Sequence, residues 1–128
     1  MATRIREKAK ARLEQKDARP RAVAKMVRMS PYKVRSVLDV VRGKSYNDAV
    51  AILSQMNKAA SEPILKVVNS AAANAENNLN MNKDTLYVAE CFADQGPTLK
   101  RMRARSKGRG ARILKRTSHI TVILDAAK

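Results

Sequence analysis

The run between Pro97 and Thr117 constrains this chain more than any other stretch, because it holds nine basic residues and no acidic one. Its large apolar residues are too few to bury a core of their own. The only strong turn signal in the run is Lys-Gly-Arg-Gly at 107–110. These features predict a β-hairpin with arms of about nine residues, reaching ~30 Å beyond the domain that carries it. The nine basic residues are Lys100, Arg101, Arg103, Arg105, Lys107, Arg109, Arg112, Lys115 and Arg116.

Charge is segregated along the whole chain of 128 residues, whose net charge is +16. Residues 1–28 hold ten basic and three acidic residues, residues 29–96 hold seven of each, and the remainder holds ten and one. A charge-balanced centre therefore carries two basic ends. Since the length suits one domain, we expect a basic N-terminal extension over 1–18 and a single domain over 19–128 that includes the hairpin at about 97–117.

The positive charge calls for an anionic partner, which can be nucleic acid or a membrane surface. No stretch approaches the roughly 18 consecutive apolar residues of a spanning helix, and the N-terminal stretch lacks the apolar segment of a secretion signal, so we expect a soluble intracellular protein. A single cysteine and a single histidine cannot build a disulfide framework or a four-ligand zinc site. With 3% aromatic residues, base stacking is a poor candidate for the main contact.

A basic run can also be a merely solvated surface. The placement of basic residues on both sides of a neutral centre favours nucleic-acid contact instead. A helix-turn-helix around Gly43 and Lys44 is a further possibility. Its second helix, however, has no arginine or lysine and carries Asp48 near its start, which argues against base reading.

Three stretches of the centre have helical spacing. Ser30 precedes Pro31 in the order typical of a cap followed by the first helical position, and Gly43 ends that helix. Ser45 caps a second helix, and a third begins near 58–61 and runs to about residue 79. Their apolar faces comprise Val34, Val37, Leu38 and Val41, then Tyr46, Ala49, Val50, Leu53 and Met56, then Ile64, Leu65, Val68, Ala71, Ala72 and Ala75.

Three further stretches, 22–28, 86–93 and 118–124, have the composition of strands. In the last of them Ile120, Val122 and Leu124 fall on one face, and in the first one, alternation places residues 22, 24 and 26 together. The whole pattern predicts an α+β fold, with a three-stranded antiparallel sheet packed with three helices, plus a long protruding basic β-hairpin.

No residue pattern supports catalysis. His119 lies in a strand and is interpreted as a hydrogen-bonded strand histidine or an RNA contact. Cys91 is interpreted as a small core residue. The asparagines near residues 74–82 are expected to cap the third helix, with contact to RNA sugars as the alternative. We therefore expect no enzyme activity, no cofactor and no metal.

Six motifs occur in order along residues 20–124. They are SPYKVR at 30–35, VRGK at 41–44, SAAANAENN at 70–78, GPTLKR at 96–101, RSKGR at 105–109 and ILKRTSHITV at 113–122. In this order they resemble the bacterial large-subunit ribosomal protein twenty-two family. The resemblance implies a domain near the exit of the peptide tunnel, and a hairpin that passes through ribosomal RNA to the tunnel wall beside an extension of ribosomal protein four.

The resemblance, with the charge pattern, leads us to expect two groups of site residues. Contacts with rRNA are expected at Arg21, Lys25, Arg28, Lys33, Arg35, Arg42, Lys44, Lys100, Arg101, Arg103, Arg105, Arg112, Lys115, Arg116, Ser118 and His119. The tunnel-facing tip is expected to comprise Met102, Ala104, Lys107, Gly108 and Arg109. Members of this family usually have proline where Ala104 stands, so the backbone before the tip is less restricted here.

The function implied is that of a structural constituent of the large ribosomal subunit, which binds rRNA, supports assembly and lines the peptide exit tunnel. Its expected partners are large-subunit rRNA of the 23S type, ribosomal protein four and other neighbouring ribosomal proteins, and the passing nascent polypeptide. No membrane and no homo-oligomer is expected, and the expected location is the cytoplasm. The alternative is a freestanding basic RNA-chaperone or nucleoid-type protein.

Overall fold

The computed structural model describes residues 2–14 and 17–126, so the expected extension over 1–18 and domain over 19–128 are seen without residues 1, 15, 16, 127 and 128. The elements in chain order are α1 (Ala2–Glu14), β1 (Arg21–Val27), α2 (Pro31–Val41), α3 (Tyr46–Gln55), α4 (Ser61–Leu79), a 3-10 turn (Lys83–Thr85), β2 (Leu86–Gln95), β3 (Leu99–Ala104), β4 (Gly110–Lys115) and β5 (Ser118–Ala126).

The antiparallel sheet has the strand order β1-β5-β2, and β3 pairs with β4 in a separate two-stranded sheet. Helix α4 packs on β1 and β5, whereas α2 packs on β2 and α3 packs on α4. The core lies between these helices and one face of the sheet. The predicted α+β fold with a three-stranded antiparallel sheet is confirmed.

Helices α2 and α3 begin and end where the sequence predicts. Pro31 occupies the first turn of α2, and Gly43 adopts φ 75° just after it, a left-handed conformation that glycine adopts at little cost. The Ser45 hydroxyl accepts a hydrogen bond from the Asp48 backbone N–H at 3.2 Å, which caps α3. The predicted apolar residues of α2, which are Val34, Val37, Leu38 and Val41, are all fully buried.

Asparagines end α4, as predicted. Asn80 adopts φ 52° at the C-cap, and its backbone N–H is bonded to the last turn of the helix. The Asn82 side chain accepts a hydrogen bond from the Asp84 backbone N–H at 3.1 Å and so starts the 3-10 turn. Asn74 has a different role, because its amide donates to the Arg21 carbonyl at 2.9 Å and ties the helix to β1.

Helix α1 was not predicted, so the structure has four α-helices in its described part where three were expected. The predicted helices were found from apolar faces that pack on a core. In α1 every side chain from Thr3 to Glu14 is exposed, and the helix has no such face. It forms from alanine, arginine, lysine, glutamate and leucine, which have high intrinsic helix propensity.

Strand β1 departs from the predicted alternation. Met26 adopts φ 60°, and the pairing with β5 shifts register between Ala24 and Val27. This bulge turns Met26 outward, with 56% of its surface exposed, and packs Val27 against the core. The prediction that residues 22, 24 and 26 share a face is therefore wrong at residue 26.

Strand β5 is buried on both faces. Ile120, Val122 and Leu124 are fully buried on the core side, as predicted. On the opposite face Thr121 and Ile123 are also buried, at 9% and 8% exposure. The reason is that β5 is the central strand, so side chains of both neighbouring strands flank these two residues.

Candidate nucleic-acid interface

The register of the hairpin sets a cation opposite an apolar residue at every charged position of its two strands. The cross-strand pairs are Leu99 with Lys115, Lys100 with Leu114, Arg101 with Ile113, Met102 with Arg112, Arg103 with Ala111 and Ala104 with Gly110. Like charges directly opposite each other destabilise an antiparallel pair, and this register avoids every such contact. Cations also lie on both faces of the ribbon, since consecutive residues of a strand point to opposite sides.

The hairpin cations are free to meet an external anion. In the part of the chain that the structure describes, none of the nine basic side chains forms an ion pair with a carboxylate. Eight of them are exposed, and Arg116 at the base is half-buried. Arginine and lysine that are neither paired nor buried are the groups that replace counterions around RNA phosphates.

The tip reverses at Lys107 and Gly108, which both have positive φ, 55° and 67°. Two backbone bonds close it, from Arg105 N–H to the Arg109 carbonyl at 2.8 Å and from Arg109 N–H to the Ser106 carbonyl at 3.3 Å. Two successive residues with positive φ match the twist of a β-ribbon. The arms are six residues each in β3 and β4, and these bonds continue the pairing beyond them towards the predicted length.

Gly110 is not part of the reversal, although the sequence motif suggested it. It is the first residue of β4 and lies opposite Ala104. A Cβ atom at this position would lie 2.8 Å from the terminal methyl group of Met102. That methyl group ends a flexible and largely exposed side chain, so it can move away.

The base of the hairpin is joined to the domain by several bonds. Gly96 N–H donates to the Thr117 carbonyl at 2.9 Å, and the Thr117 hydroxyl donates to the Pro97 carbonyl. Arg28, which follows β1, donates from Nη1 to the Lys115 carbonyl at 3.2 Å. These contacts tie the ribbon to the sheet on both of its strands.

An open cleft of about 410 Å³ lies between the base of the hairpin and the start of α2. Four of its lining residues are basic, and none of the lining residues that the structure describes is acidic. Met29 and Leu114 provide apolar surface beside the cations. The lining residues are Arg28, Met29, Ser30, Lys33, Leu114, Lys115 and Arg116. Such a cleft suits a phosphate with part of its sugar or base.

Arg35 and Arg42 have structural partners that the sequence did not reveal. Arg35 donates from Nε to the Ala93 carbonyl, and Arg42 donates from Nη2 to the Cys91 carbonyl, both at 2.9 Å. These carbonyls lie on β2, one of the two edge strands of the sheet, and the backbone of residues 43 and 44 covers the same edge by bonding to Val88. Both arginines thus satisfy backbone groups that an uncovered edge would leave open.

Ser118 and His119, which were predicted to contact RNA, are both at least partly buried in the domain. Ser118 is fully buried and its hydroxyl has no partner, so this side chain does not reach the surface and the expected RNA contact is withdrawn. His119 is half-buried, and its Nδ1 accepts a hydrogen bond from the Met26 backbone N–H at 3.0 Å, across the bulge of β1. The predicted strand-histidine hydrogen bond is therefore present, and contact of His119 with RNA stays a prediction.

The remaining predicted residues do not form one site. Arg28, Lys33, Lys115 and Arg116 meet at the cleft, and the tip residues lie at the far end of the ribbon. Of the other predicted rRNA-binding residues, Arg21, Lys25 and Lys44 have exposed side chains elsewhere on the domain. The structure therefore supports a continuous basic surface from the cleft to the tip, with the other cations apart from it.

Cys91 is a core residue, as predicted. It is 3% exposed, and its thiol lies 3.5 Å from the Leu38 carbonyl. Burial raises the pKa of this thiol, so it stays protonated and unreactive. Among residues 2–14 and 17–126 no group of three or more His, Cys, Asp or Glu could hold a metal ion. None of the helices described is long and apolar enough to cross a membrane.

Comparison with known proteins gives consistent matches. A family model described as ribosomal protein L22p/L17e matches residues 22–125. Large ribosomal subunit protein uL22 of Clostridium novyi (strain NT) is 57% identical over 104 residues, which are 81% of this chain and 94% of that protein. The protein of the same name from Desulfitobacterium hafniense (strain DSM 10664 / DCB-2) is 55% identical over 108 residues, 84% of this chain and 95% of that protein. The hairpin lies within the residues matched by the family model, and so does the sheet except for Arg21 and Ala126 at its ends, whereas α1 lies outside them.

Proposed function

The chain belongs to the ribosomal protein L22p/L17e family, and from that premise we propose that it binds large-subunit rRNA through the hairpin and the cleft at its base. Members of the family are structural proteins of the large ribosomal subunit in the cytoplasm and are not enzymes. The proposal concerns how this chain performs that role.

The observation that carries the proposal is the pairing of cations with apolar residues in a ribbon without acids. Each of the five cations in the strands, Lys100, Arg101, Arg103, Arg112 and Lys115, lies opposite an apolar side chain. The aliphatic stems of the cations cover that apolar surface while their charged ends point outward. A ribbon charged on both faces suits a position between RNA segments, where phosphates approach from two sides.

Binding follows from counterion release. Each phosphate neutralised by lysine or arginine releases condensed cations, and arginine can bridge two phosphate oxygens. The cleft lined by Arg28, Lys33, Lys115 and Arg116 holds RNA where the ribbon leaves the domain and so orients the ribbon. By neutralising phosphates where RNA segments converge, the protein supports assembly of the subunit.

The tip is proposed to line the nascent-peptide exit tunnel beside an extension of ribosomal protein four, so that the nascent polypeptide passes it. Lys107, Gly108 and Arg109 form the turn. Behind the turn, Ala104 lies opposite Gly110, so the ribbon is narrow just before its end. A narrow and basic end can project between RNA walls without blocking the passage.

A density map of the large subunit that contains this chain tests the proposal directly. We expect rRNA phosphates within hydrogen-bond distance of the cleft and of both ribbon faces, and we expect the tip at the tunnel wall. A ribbon lying on the outer surface of the subunit would contradict it. Sedimentation of a lysate addresses the alternative, since a pool that is free or bound to DNA would favour a freestanding chaperone or nucleoid protein.

A deletion separates the tip from the rest of the interface. Removing residues 105–109 should leave the domain folded and the affinity for rRNA largely intact, because the cations of the cleft and stem remain. The tunnel constriction should widen in the resulting subunits. If this variant fails to enter subunits, then the tip is needed for assembly and the division of roles is wrong.

A further inference from the structure

Helix α1 is not accounted for by the family. The family model matches residues 22–125, and α1 spans residues 2–14. The residues aligned with the Clostridium novyi protein make up 94% of that protein. Its unaligned remainder is shorter than the 13 residues of α1, so this relative has no room for an equivalent helix. The helix therefore lies outside what this chain shares with the family model and with that relative.

The helix is basic on more than one side. Arg4, Lys8 and Arg12 recur at every fourth residue and lie along one side, and Arg6 with Lys10 lie along another. Every side chain from Thr3 to Glu14 is exposed, so none of these cations packs on the domain. The two acids of the helix are Glu7 and Glu14. Five cations in 13 residues therefore face the surroundings.

The helix joins the domain at the end of the sheet opposite to the hairpin. Arg21 of β1 pairs with Ile123, whereas Val27 pairs with Ser118, where the ribbon joins β5. A strand of this length separates the two ends by roughly 20 Å. The incoming chain is held at the first end, because Arg19 bonds Asp17 at 2.6 Å and Glu90 at 2.8 Å.

We propose that α1 is a second RNA-binding element, which contacts the phosphates of an rRNA segment distinct from the one around the hairpin. This inference rests on the proposed function. RNA is favoured over a lipid surface because α1 has only two large apolar side chains, Ile5 and Leu13, which are too few to form the apolar face of a helix that lies in a membrane surface. Two RNA contacts at opposite ends of one domain raise the overall affinity, because once the hairpin is bound, α1 meets its RNA segment at a high effective concentration.

The test uses the full chain with its five α1 cations replaced, R4Q/R6Q/K8Q/K10Q/R12Q. Glutamine keeps the helix propensity, and circular dichroism checks that the helix content is unchanged. Affinity for large-subunit rRNA is measured over a series of salt concentrations. We expect weaker binding, and a slope of log K against log salt that is shallower by about 2 to 4. Chemical footprinting should show one protected RNA segment lost while the hairpin segment is kept.

The control variant is I5Q/L13Q, which changes the apolar side chains and leaves the charge. It should bind rRNA as the natural chain does. Binding to vesicles that contain anionic lipid is measured for the same variants. The proposal is overturned if the natural chain binds these vesicles, I5Q/L13Q does not, and the five-cation variant keeps the rRNA affinity of the natural chain. Those results would identify α1 as a lipid-binding helix.

The outcomes also separate this inference from the proposed function. If the five-cation variant matches the natural chain in rRNA affinity, salt slope and footprint while substitutions in the ribbon weaken binding, then α1 binds no RNA and the proposed function stands. If the natural chain itself does not bind large-subunit rRNA, the proposed function fails and the inference fails with it.

Discussion

Gly96 and Thr117 meet so closely at the base of the hairpin that position 96 has no room for a side chain. The Gly96 N–H donates to the Thr117 carbonyl at 2.9 Å. A Cβ atom on residue 96 would lie 2.6 Å from Oγ1 of Thr117 and 3.2 Å from the His119 ring. The threonine hydroxyl cannot turn away without losing its bond to the Pro97 carbonyl. This contact fixes where the ribbon leaves the sheet.

Gly96→Ala should therefore lower the free energy of unfolding by about 1–3 kcal/mol, the usual effect of overpacking. Urea denaturation measures this change as a shift of the midpoint, provided that the dependence of the free energy of unfolding on urea concentration is the same in both proteins. Gly110→Ala is the matched control, since its new methyl group meets only the movable end of Met102, and it should stay within about 0.5 kcal/mol of the natural chain. Equal midpoints for the two variants would contradict this account of the base.

Arg42 stabilises the edge of the sheet through its bond to the Cys91 carbonyl at 2.9 Å. Arg42→Met keeps the aliphatic stem and removes the donors of this bond and of the exposed ion pair with Asp39 at 2.7 Å, which contributes little. We therefore expect the free energy of unfolding, measured by urea denaturation, to fall by about 1 kcal/mol. Lys44→Met loses the same charge from an exposed side chain and should change the stability by less than about 0.5 kcal/mol. If both variants unfold at the same urea concentration, the bond to β2 contributes nothing.

The ladder of the hairpin predicts where proline is tolerated. The Arg105 N–H bonds the Arg109 carbonyl at 2.8 Å, and pairing alternates along an antiparallel ribbon, so the N–H of Ala104 points away from β4. Ala104→Pro should therefore keep the ribbon, whereas Arg105→Pro should open its tip. Amide protection of β3 and β4 measured by NMR distinguishes the two, and Arg105→Gln controls for the lost charge. Protection lost in Ala104→Pro would show that this register is wrong.

Asp17 should titrate at unusually low pH. Hydrogen bonds from the Arg19 side chain, and then from its backbone N–H, hold the pKa of Asp17 at about 2, below the ordinary value of 3.8. A lowered pKa in the folded state means that the pair stabilises the fold above about pH 4 and that this contribution is lost as the pH falls towards 2. Carboxyl carbon NMR should give a midpoint near 2, and Arg19→Gln should return it towards 3.8. A normal midpoint in the natural chain would show that the pair does not persist in solution.

The helices of the domain could be predicted because their signals are local. Pro31, Gly43, and Ser45 with Asp48 each act within one turn of backbone, and the apolar residues between them repeat at helical spacing. Ser30 occupies the N-cap position of α2 without a side-chain capping bond. Helix α1 was missed for the complementary reason. It forms from propensity and charge alone, and a search for buried faces does not find it.

The candidate site could be predicted only as a region. The absence of acidic residues from the hairpin could be seen in the sequence, and so could its turn. Arg35, Arg42 and Ser118 were assigned to RNA from the family resemblance and the charge pattern. Two of them bond to the edge of β2, and the third is buried. A side chain's partner depends on which distant backbone group lies within reach, and that depends on packing.

The sequence by itself determined the charge distribution, the positions of the turns and the periodicity of the buried faces, because each of these depends on residues within a few positions of one another. The tertiary structure decided the register of the hairpin, which sets every strand cation opposite an apolar residue, and the bulge at Met26, which gives His119 its partner. It also decided which arginines remain free for phosphate. Those outcomes depend on contacts between residues as distant in sequence as Met26 and His119, which are 93 positions apart, and sequence spacing carries no information about such contacts.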